Sequence, residues 1–285
     1  MLRLINLNGA EKMTNWQERE ITRVTTAIDL YDLFDRLGLR ATDSCLVHTS
    51  LSAFGYIPGG EQTLVTALKT TLSQGNIVMP AQSADYTDPR EWLYPPVRQD
   101  LQAKVMAGMP AYDRTLTPCH FIGLTPEYFR TLPDTQRSGH PTCSMTAWGR
   151  NAAQICATPT LDLPFGAQGP LQKLYDLNAK VVCLGTDFET ATAIHLAEST
   201  IGRPVFEEQA PISVAGKPQW RSYQMVELEP YDDFNAMGAA FCQAHPEQVV
   251  QQPLGQHHQA RAIGMRALVD FAREYYREKD RREMS

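Results

Sequence analysis

Apolar residues recur along the chain at two spacings, one typical of helices and the other of short buried strands. Apolar positions three and four residues apart predict helices at 21–37, 61–72, 126–132, 147–156, 170–177, 190–201, 231–244 and 261–279. Continuous apolar runs predict buried strands at 44–48, 76–79 and 180–185. Because strands alternate with helices, the pattern predicts a layered α/β/α fold with a central mixed sheet.

A β-hairpin is predicted late in the chain. Alternation over 212–214 leads to the turn residues Gly216, Lys217 and Pro218, and a second strand follows over 220–228. Residues 81–118 are rich in proline and aromatic side chains and lack clear periodicity, which predicts a long functional loop with short helices. Since no linker interrupts the pattern, residues 21–285 are expected to form a single domain behind an N-terminal extension, 1–20.

Composition narrows the classes of protein and partner. The 285 residues are 43% hydrophobic and 20% charged, as in a globular domain with a large core. The net charge of −6 disfavours nucleic acid and suits a cationic small molecule. No apolar stretch approaches the roughly 18 residues of a membrane span, so no membrane partner is expected. A start without signal-peptide features and six singly scattered cysteines indicate the cytoplasm, reduced thiols and no metal site.

A loop rich in hydroxyl groups follows the first predicted strand. It runs from Thr49 to Gly60, and Gly59 and Gly60 directly precede a predicted helix. Ligands of α/β proteins bind where strands end, and the free N–H groups of a helix N-terminus attract phosphate. The segment is therefore interpreted as a phosphate-binding loop, with an ordinary turn as the alternative.

His195 and Glu198 lie three positions apart in a predicted helix, so their side chains share one face. A carboxylate beside an imidazole fixes its tautomer and raises its basicity, as general-base catalysis near neutral pH requires. The flanking residues Ile194, Leu196 and Ala197 are apolar and indicate that the helix is buried. A surface hydrogen bond between the two side chains is the alternative.

Other polar residues have structural as well as functional interpretations. Arg137 lies in a turn with His140, where the guanidinium could bind phosphate and the imidazole could hold the turn together. Four acidic residues lack local basic partners, namely Asp85, Glu229, Asp232 and Asp233. Such residues form either a cation site or a solvated acidic face. The sequence contains no P-loop, dinucleotide fingerprint, nucleophile elbow or zinc-protease helix motif.

Several motifs, taken in order, resemble those of the aminoglycoside 3-N-acetyltransferase family, the antibiotic N-acetyltransferases outside the GNAT fold. They are VHTSLSAFGYIPGG (47–60), NIVMPAQS (76–83), MPAYDRTLTPCHFIG (109–123), PEYFRTLPDTQRSGHPTCSMTAWG (126–149), GPLQKLYDLNAKVVCLG (169–185), AIHLAE (193–198) and RALVDFAREYY (266–276). Because these motifs run through the chain in the family's order, the resemblance is specific and covers nearly the whole of the predicted domain.

The resemblance implies transfer of an acetyl group from acetyl-CoA to the 3-amino group of 2-deoxystreptamine aminoglycosides, which confers antibiotic resistance. It implies that His195 is the general base, that Glu198 supports it, and that no metal is used. Together with the glycines that precede the predicted helix, it gives the expected acetyl-CoA contacts Thr49, Ser50, Leu51, Ser52, Phe54, Gly55, Gly59, Gly60, Arg137 and Ser138. The implied antibiotic contacts are the four carboxylates Asp85, Glu229, Asp232 and Asp233.

Three departures from the family's pattern bear on the substrate. The family commonly has His where Gln82 stands, Glu where Gln168 stands, and Asn-Thr-Ser where residues 191–193 read Ala-Thr-Ala. The alternatives are a same-fold acyltransferase for a non-antibiotic amine, a hydrolase that uses Ser50 or a cysteine with His195, and a CoA-binding protein without turnover. The sequence leaves the assembly open, with a homodimer as the candidate.

Overall fold

The computed structural model of the protein describes residues 20–283, so the predicted extension 1–20 lies almost wholly outside the described residues. Its strands are β1 (Ser44–Thr49), β2 (Asn76–Pro80), β3 (Gln136–Arg137), β4 (Met145–Gly149), β5 (Lys180–Leu184), β6 (Val205–Val214), β7 (Lys217–Val226), β8 (Val249–Leu254) and β9 (His258–Gly264). Seven of them form one sheet in the order β3-β4-β2-β1-β5-β9-β8. β1 is parallel to β2 and β5, and the other pairs are antiparallel, so the sheet is mixed as predicted.

Helices cover both faces of this sheet, and one further helix, in the 81–118 loop, buries no side chain. They are α1 (Ala27–Arg36), α2 (Gly60–Thr71), α3 (Gln99–Gly108), α4 (Leu124–Arg130), α5 (Ala152–Cys156), α6 (Pro170–Asp176), α7 (Ile194–Glu198), α8 (Phe234–Ala244) and α9 (Met265–Glu283). Alternate side chains of a strand enter opposite layers. Cys45 and Val47 of β1 pack in a core with α1 and α2, and Leu46 packs in a larger core with α6 to α9. The predicted α/β/α layering is confirmed.

Two segments that the sequence predicts as helices begin as strands. Residues 145–149 form β4, and the helix predicted over 147–156 starts only at Ala152. The helix predicted over 261–279 starts at Met265, because the residues before it belong to β9. Ala147 pairs opposite Val78, and β9 pairs with β5. These partners lie far away along the chain, so a local apolar pattern cannot reveal them.

Two helices are shorter than predicted, and a capping box accounts for the start of the first. α1 starts at Ala27 and not near residue 21, since Thr26 and Asp29 form a capping box in which the Thr26 N–H donates to Asp29 Oδ2 at 2.7 Å. α7 spans Ile194–Glu198 within the predicted 190–201, and a 3₁₀ turn over Phe188–Thr190 precedes it. The short α7 therefore holds His195 in its first turn and Glu198 at its end.

The predicted hairpin is present and longer than expected, but the predicted turn residues Lys217 and Pro218 belong to β7. β6 and β7 pair in register from Val205 opposite Val226 to Val214 opposite Lys217. Ala215 and Gly216 make the turn with φ of 51° and 76°, the left-handed pair that a two-residue hairpin turn requires. The loop predicted over 81–118 is also present, with a 3₁₀ turn at Ala84–Tyr86 and the helix α3. Within residues 20–283, no helix has the length and apolar content needed to cross a membrane.

Gly185 permits a close approach at the end of β5. Its φ is +78°, and a Cβ placed there would lie 2.2 Å from Ala53 Cβ and 3.2 Å from the Ser50 carbonyl oxygen. Any side chain would therefore push the Ser50–Ala53 turn away from the end of the sheet. Gly202 offers a comparison, because its φ is +87° but nothing lies within 4 Å of the same position.

We predict that Gly185→Ala lowers the free energy of unfolding by about 2–4 kcal/mol, whereas Gly202→Ala lowers it by only about 1 kcal/mol. Both substitutions carry the left-handed backbone strain, and only the first adds a steric clash. Chemical denaturation of both variants beside the wild type measures the difference. Equal losses would contradict the close packing inferred at Gly185.

Candidate active site

Two loops leave the sheet side by side where the parallel strands β1 and β5 end. Thr49 pairs opposite Leu184 in the sheet, and the Ser50 N–H donates to the Leu184 carbonyl at 2.9 Å. One loop continues into the hydroxyl-rich segment before α2, and the other continues to α7. The carboxyl ends of parallel strands are where α/β proteins commonly bind ligands.

His195 and Glu198 form a hydrogen-bonded pair on α7. His195 Nδ1 lies 2.9 Å from Glu198 Oε2, as their spacing on one helix face predicts. Glu198 is completely buried and His195 is 9% exposed, so the alternative of a surface hydrogen bond is wrong. A carboxylate on Nδ1 keeps the proton on that nitrogen and leaves Nε2 as the acceptor.

The second oxygen of Glu198 is also satisfied inside the protein. Glu198 Oε1 accepts from Arg203 Nη1 at 2.6 Å and from the backbone N–H of Glu229 at 2.8 Å. Charged groups remain stable in a protein interior when they are paired and hydrogen-bonded. The carboxylate is therefore fixed from three directions.

Glu229 faces the other ring nitrogen of His195. Its Oε1 lies 3.4 Å from His195 Nε2, and its side chain is 38% exposed. Partial burial raises the pKa of Glu229, and the neighbouring His195 opposes that rise. Glu229 has a φ of 52°. The rings of Phe165 and Phe234 lie 5.0 Å and 5.4 Å from the His195 ring centre. His195 thus stands between a buried and a half-exposed carboxylate, beside two aromatic rings.

His48, near the end of β1, is a further histidine of this region that sequence reasoning does not single out. It is buried, and its Nε2 has no hydrogen-bond partner among the described residues. Burial lowers the pKa of His48 to about 3, and His195 contributes to the shift. His48 is therefore neutral at physiological pH. The sequence signal that could have identified His48 is its position at the end of a predicted strand, directly before the Thr49–Gly60 loop.

The Thr49–Gly60 loop presents some of its predicted binding residues and buries others. Ser50 Oγ and Ser52 Oγ lie 3.1 Å apart on the accessible part of the loop. Gly59 and Gly60 have positive φ and lead into α2. Leu51 is half-buried against the core, whereas the Phe54 ring lies wholly inside it. The Phe54 side chain therefore does not line a ligand site, contrary to the sequence-based expectation.

Gly55 determines the backbone path of the same loop at an exposed position. It has a φ of 75°, and a Cβ there would lie 2.7 Å from the Arg23 carbonyl oxygen. The Thr25 hydroxyl donates to the Phe54 carbonyl at 2.6 Å, next to this contact. These contacts hold the 54–55 backbone against the segment before α1, so Gly55 has a clear structural role.

Arg137 is committed to the fold. Its guanidinium donates to the Ala81 carbonyl at 2.7 Å, Ser83 Oγ at 2.9 Å, Ser144 Oγ at 3.0 Å and the carbonyls of Thr117 and Arg114. A guanidinium has five N–H groups, and these five acceptors engage all of them. The predicted phosphate contact of Arg137 therefore has no support in the geometry.

Ser138 and His140 have structural contacts as well. Ser138 is fully buried, and its hydroxyl accepts from the Met145 N–H at 2.9 Å. His140 Nδ1 accepts from the Cys143 N–H at 3.0 Å, and its Nε2 lies 3.0 Å from the Leu161 carbonyl. The interpretation that His140 holds the turn together is favoured, and Ser138 is not placed to meet a cofactor.

Of the four predicted carboxylates, Glu229 contacts the His195–Glu198 pair. Asp85 lies on a different loop from Glu229, where its Oδ1 is 2.8 Å from His120 Nδ1. Asp233 accepts from Lys279 Nζ at 2.6 Å and from the hydroxyls of Tyr275 and Tyr276. Asp233 therefore anchors α9 and is not a free substrate ligand. Asp232, with a φ of 50°, lies in the same segment as Glu229.

The thiols and the metal-ligating residues add little chemistry to this region. The six cysteines are free, and five of them are buried. Burial raises the pKa of Cys183 to about 11 and that of Cys143 to about 12, which disfavours a reactive thiolate. Among residues 20–283, no cluster of three or more His, Cys, Asp or Glu side chains is arranged to hold a metal ion.

A histidine held by a buried carboxylate thus follows the carboxyl ends of the parallel strands β1 and β5 in an α/β protein, where ligands of such folds commonly bind. The sequence model of the aminoglycoside 3-N-acetyltransferase family matches residues 46–277. The chain therefore belongs to this family of acyltransferases, as its motifs indicate.

Relatives and solved structures agree with this assignment. The SPbeta prophage-derived aminoglycoside N(3')-acetyltransferase-like protein YokD of Bacillus subtilis is 36% identical in sequence, over 86% of this chain and 89% of the YokD chain. The crystal structure of YokD superposes with a TM-score of 0.84, at 34% identity over 91% of this chain and 95% of that one. Aminoglycoside N(3)-acetyltransferase VII of Streptomyces paromomycinus is 31% identical over 88% of this chain and 85% of its own. A structure of AAC-IIIb with CoASH has a TM-score of 0.79, at 25% identity over 90% of this chain and 97% of that one.

We predict that His48 makes the protein sensitive to acid. The unfolded chain binds a proton at His48 below about pH 6.5, whereas the folded protein does so only near pH 3. Stability contributed by the neutral imidazole is therefore present above pH 6.5 and is lost as the pH falls towards 3. Between pH 7 and pH 5 the wild type should lose about 2 kcal/mol more than His48→Gln.

Urea denaturation at both pH values measures this difference, and His257→Gln, at an exposed histidine, is the matched control. The control should lose as much stability as the wild type. A His48→Gln variant with the same pH dependence as the wild type would show that His48 is not held neutral.

Proposed function

We propose that the protein transfers the acetyl group of acetyl-CoA to the 3-amino group of 2-deoxystreptamine aminoglycosides, with His195 as the general base. The observation that carries the proposal is the His195 side chain, with Nδ1 on the buried Glu198 and Nε2 towards the half-exposed Glu229. The family and the relatives named as aminoglycoside N(3)-acetyltransferases support the substrate class. Resistance to such antibiotics is the expected consequence in a cell.

The proposed step requires a base because an ammonium ion has no lone pair with which to attack a thioester. His195 Nε2 takes a proton from the bound amine, and the amine nitrogen then bonds to the thioester carbon. The carbon–sulfur bond breaks, the second proton that the nitrogen must lose passes to the sulfur so that CoA leaves as the thiol, and His195 releases its own proton to solvent. Glu198 stabilises the imidazolium that forms, and the step needs no group beyond the two substrates.

The proposed acetyl-CoA contacts lie in the Thr49–Gly60 loop and the start of α2. A related enzyme, AAC-IIIb, has been solved with CoASH, which supports acetyl-CoA as the co-substrate. The accessible hydroxyls of Thr49, Ser50 and Ser52 can donate to an anion or a carbonyl. The Ser50 N–H already donates to Leu184, so the developing oxyanion would be stabilised by hydroxyls and not by that backbone group.

The proposed antibiotic contact nearest the chemistry is Glu229. A carboxylate beside Nε2 attracts an ammonium group and holds it where the base can remove a proton. Asp85 and Asp232 are proposed as further contacts for the other ammonium groups of the antibiotic. Cytoplasmic location and a homodimer remain predictions.

Among the residues that the structure describes, no candidate nucleophile for the rival hydrolase reaction is in contact with His195. Ser50 Oγ has Ser52 Oγ as its hydrogen-bond neighbour, and the buried thiols have raised pKa values. Activation of a serine or a cysteine requires a base within hydrogen-bonding reach. Transfer to an amine is therefore favoured over hydrolysis.

We predict that release of CoA thiol from acetyl-CoA depends on a 2-deoxystreptamine aminoglycoside, and that His195→Ala lowers kcat by about 10²–10⁴-fold with CoA affinity nearly unchanged. Steady-state thiol assays with a panel of aminoglycosides and simple amines measure both effects. His245→Ala, which removes the histidine of another His–Glu pair on the surface, should leave kcat unchanged.

Three results would contradict this account. Thiol release without an amine indicates hydrolysis, release with simple amines alone indicates a different acceptor, and a His195→Ala variant with near wild-type kcat removes His195 from the reaction.

We predict that Glu229→Gln raises KM for the antibiotic more than it lowers kcat, because an ion pair with the substrate contributes to ground state and transition state alike. The wild-type KM should rise with salt, since screening shortens the reach of the charges to about 8 Å at physiological ionic strength. Glu227→Gln, at an exposed neighbouring carboxylate, is the matched control and should have a small effect. A KM that neither salt nor Glu229→Gln alters would favour a non-cationic acceptor.

A further inference from the structure

The partner of Glu198 on the side away from His195 is a buried arginine. Arg203 Nη1 donates to Glu198 Oε1 at 2.6 Å, and its Nε and Nη2 donate to the two oxygens of Asp280, each at 3.0 Å. The Arg203 side chain is only 4% exposed. A two-pronged contact with a carboxylate fixes the plane of the guanidinium, and hence the direction of its remaining N–H groups.

Aromatic residues close the space around this guanidinium. Its carbon lies 4.8 Å from the ring centre of Tyr276 and 5.5 Å from that of Tyr231. The Tyr231 hydroxyl donates to Asp280 Oδ1 at 2.8 Å. Tyr276 and Asp280 both belong to α9, so the last helix provides both the anion and part of the packing that hold Arg203.

We propose that Arg203 and Asp280 are positioning residues of the acid–base site, through which α9 sets the orientation and the proton affinity of the His195–Glu198 pair. The contacts run without a break from His195 through Glu198 and Arg203 to Asp280. The proposal rests on the proposed role of His195 as the base. In addition, α9, which lies far along the chain from His195, sets the proton affinity of this base.

The two residues should act in opposite directions. The positive charge of Arg203 disfavours an added proton on the His195–Glu198 pair, and the negative charge of Asp280 partly offsets that effect. The other ionisable groups in this region are Glu229 beside Nε2, the neutral His48, Tyr231 and Tyr276, and the Asp233–Lys279 ion pair. Tyr231 donates to Asp280, and both tyrosine rings pack against Arg203, so the substitutions alter their contacts. Because burial raises the pKa of both hydroxyls above the ordinary value, the tyrosines stay neutral where an imidazole titrates, and the sign of each effect is defined.

The test is an NMR titration of the His195 ring in the full-length protein without substrate, together with the pH dependence of kcat/KM. Arg203→Gln should move the titration midpoint and the acid limb of the pH profile upward by about one pH unit. Asp280→Asn should move both downward by about half a unit. Arg273→Gln removes an arginine of α9 that pairs with Asp270, and as the matched control it should move neither.

Arg203→Lys and Asp280→Asn are included in case Arg203→Gln does not fold. Loss of Arg203 leaves a buried carboxylate without its cation, and such a loss destabilises proteins strongly. Arg203→Lys retains the charge and should restore the wild-type midpoint, and Asp280→Asn tests the sign independently. Midpoints that stay at the wild-type value, or that move in the same direction in Arg203→Gln and Asp280→Asn, would overturn the proposal.

The titration needs no substrate, so its outcome is separate from that of the proposed function. If the protein transfers no acetyl group, the proposed function fails, while opposite shifts in the two variants still establish the coupling. If acetyl transfer depends on His195 and the titrations do not shift, the function stands and the positioning role fails.

Discussion

The carboxylate of Glu198 lies entirely away from water, and such a group is stable only while both of its oxygens are hydrogen-bonded and its charge is compensated. Its partners come from separate parts of the chain: His195 one turn earlier, Arg203 in the segment before the hairpin, and the backbone of Glu229 after the hairpin. Asp280 of α9 completes the set by holding Arg203. The contacts around this one buried carboxylate therefore hold α7, the end of the hairpin and the last helix together near the end of the sheet.

The two sides of His195 differ in a way that fits the proposed deprotonation of an ammonium group. On the Nδ1 side, the buried Glu198 keeps a fixed geometry and stabilises a proton taken up by the ring. On the Nε2 side, the half-exposed Glu229 can exchange its contact for an incoming ammonium group. The neighbouring His48 stays neutral because of its burial, so it adds no positive charge that would repel such a substrate.

Local patterns in the sequence predict those parts of the molecule that depend on neighbouring residues. The parallel strands β1, β2 and β5 are continuous apolar runs, and the His195–Glu198 contact follows from helical spacing. The strands β4 and β9 are misread as helix starts, because their apolar residues face partners that only the sheet register brings close. Arg203 and Asp280 are missed for the same reason, since they meet 77 residues apart in the chain. Arg137 is a different case, because charge alone suggests a phosphate contact, whereas burial commits it to the carbonyls and hydroxyls around it.

The most direct test of the account is a crystal structure of the protein with CoA and a 2-deoxystreptamine aminoglycoside bound together. We predict that the 3-amino nitrogen lies within about 2.6–3.2 Å of His195 Nε2, with the sulfur of CoA on the opposite side of that nitrogen and the pantetheine along the Thr49–Gly60 loop. Glu198 should keep its contacts with His195 and Arg203 in the complex. A complex in which the 3-amino group lies away from His195, with another side chain at hydrogen-bonding distance from it, would contradict the central claim.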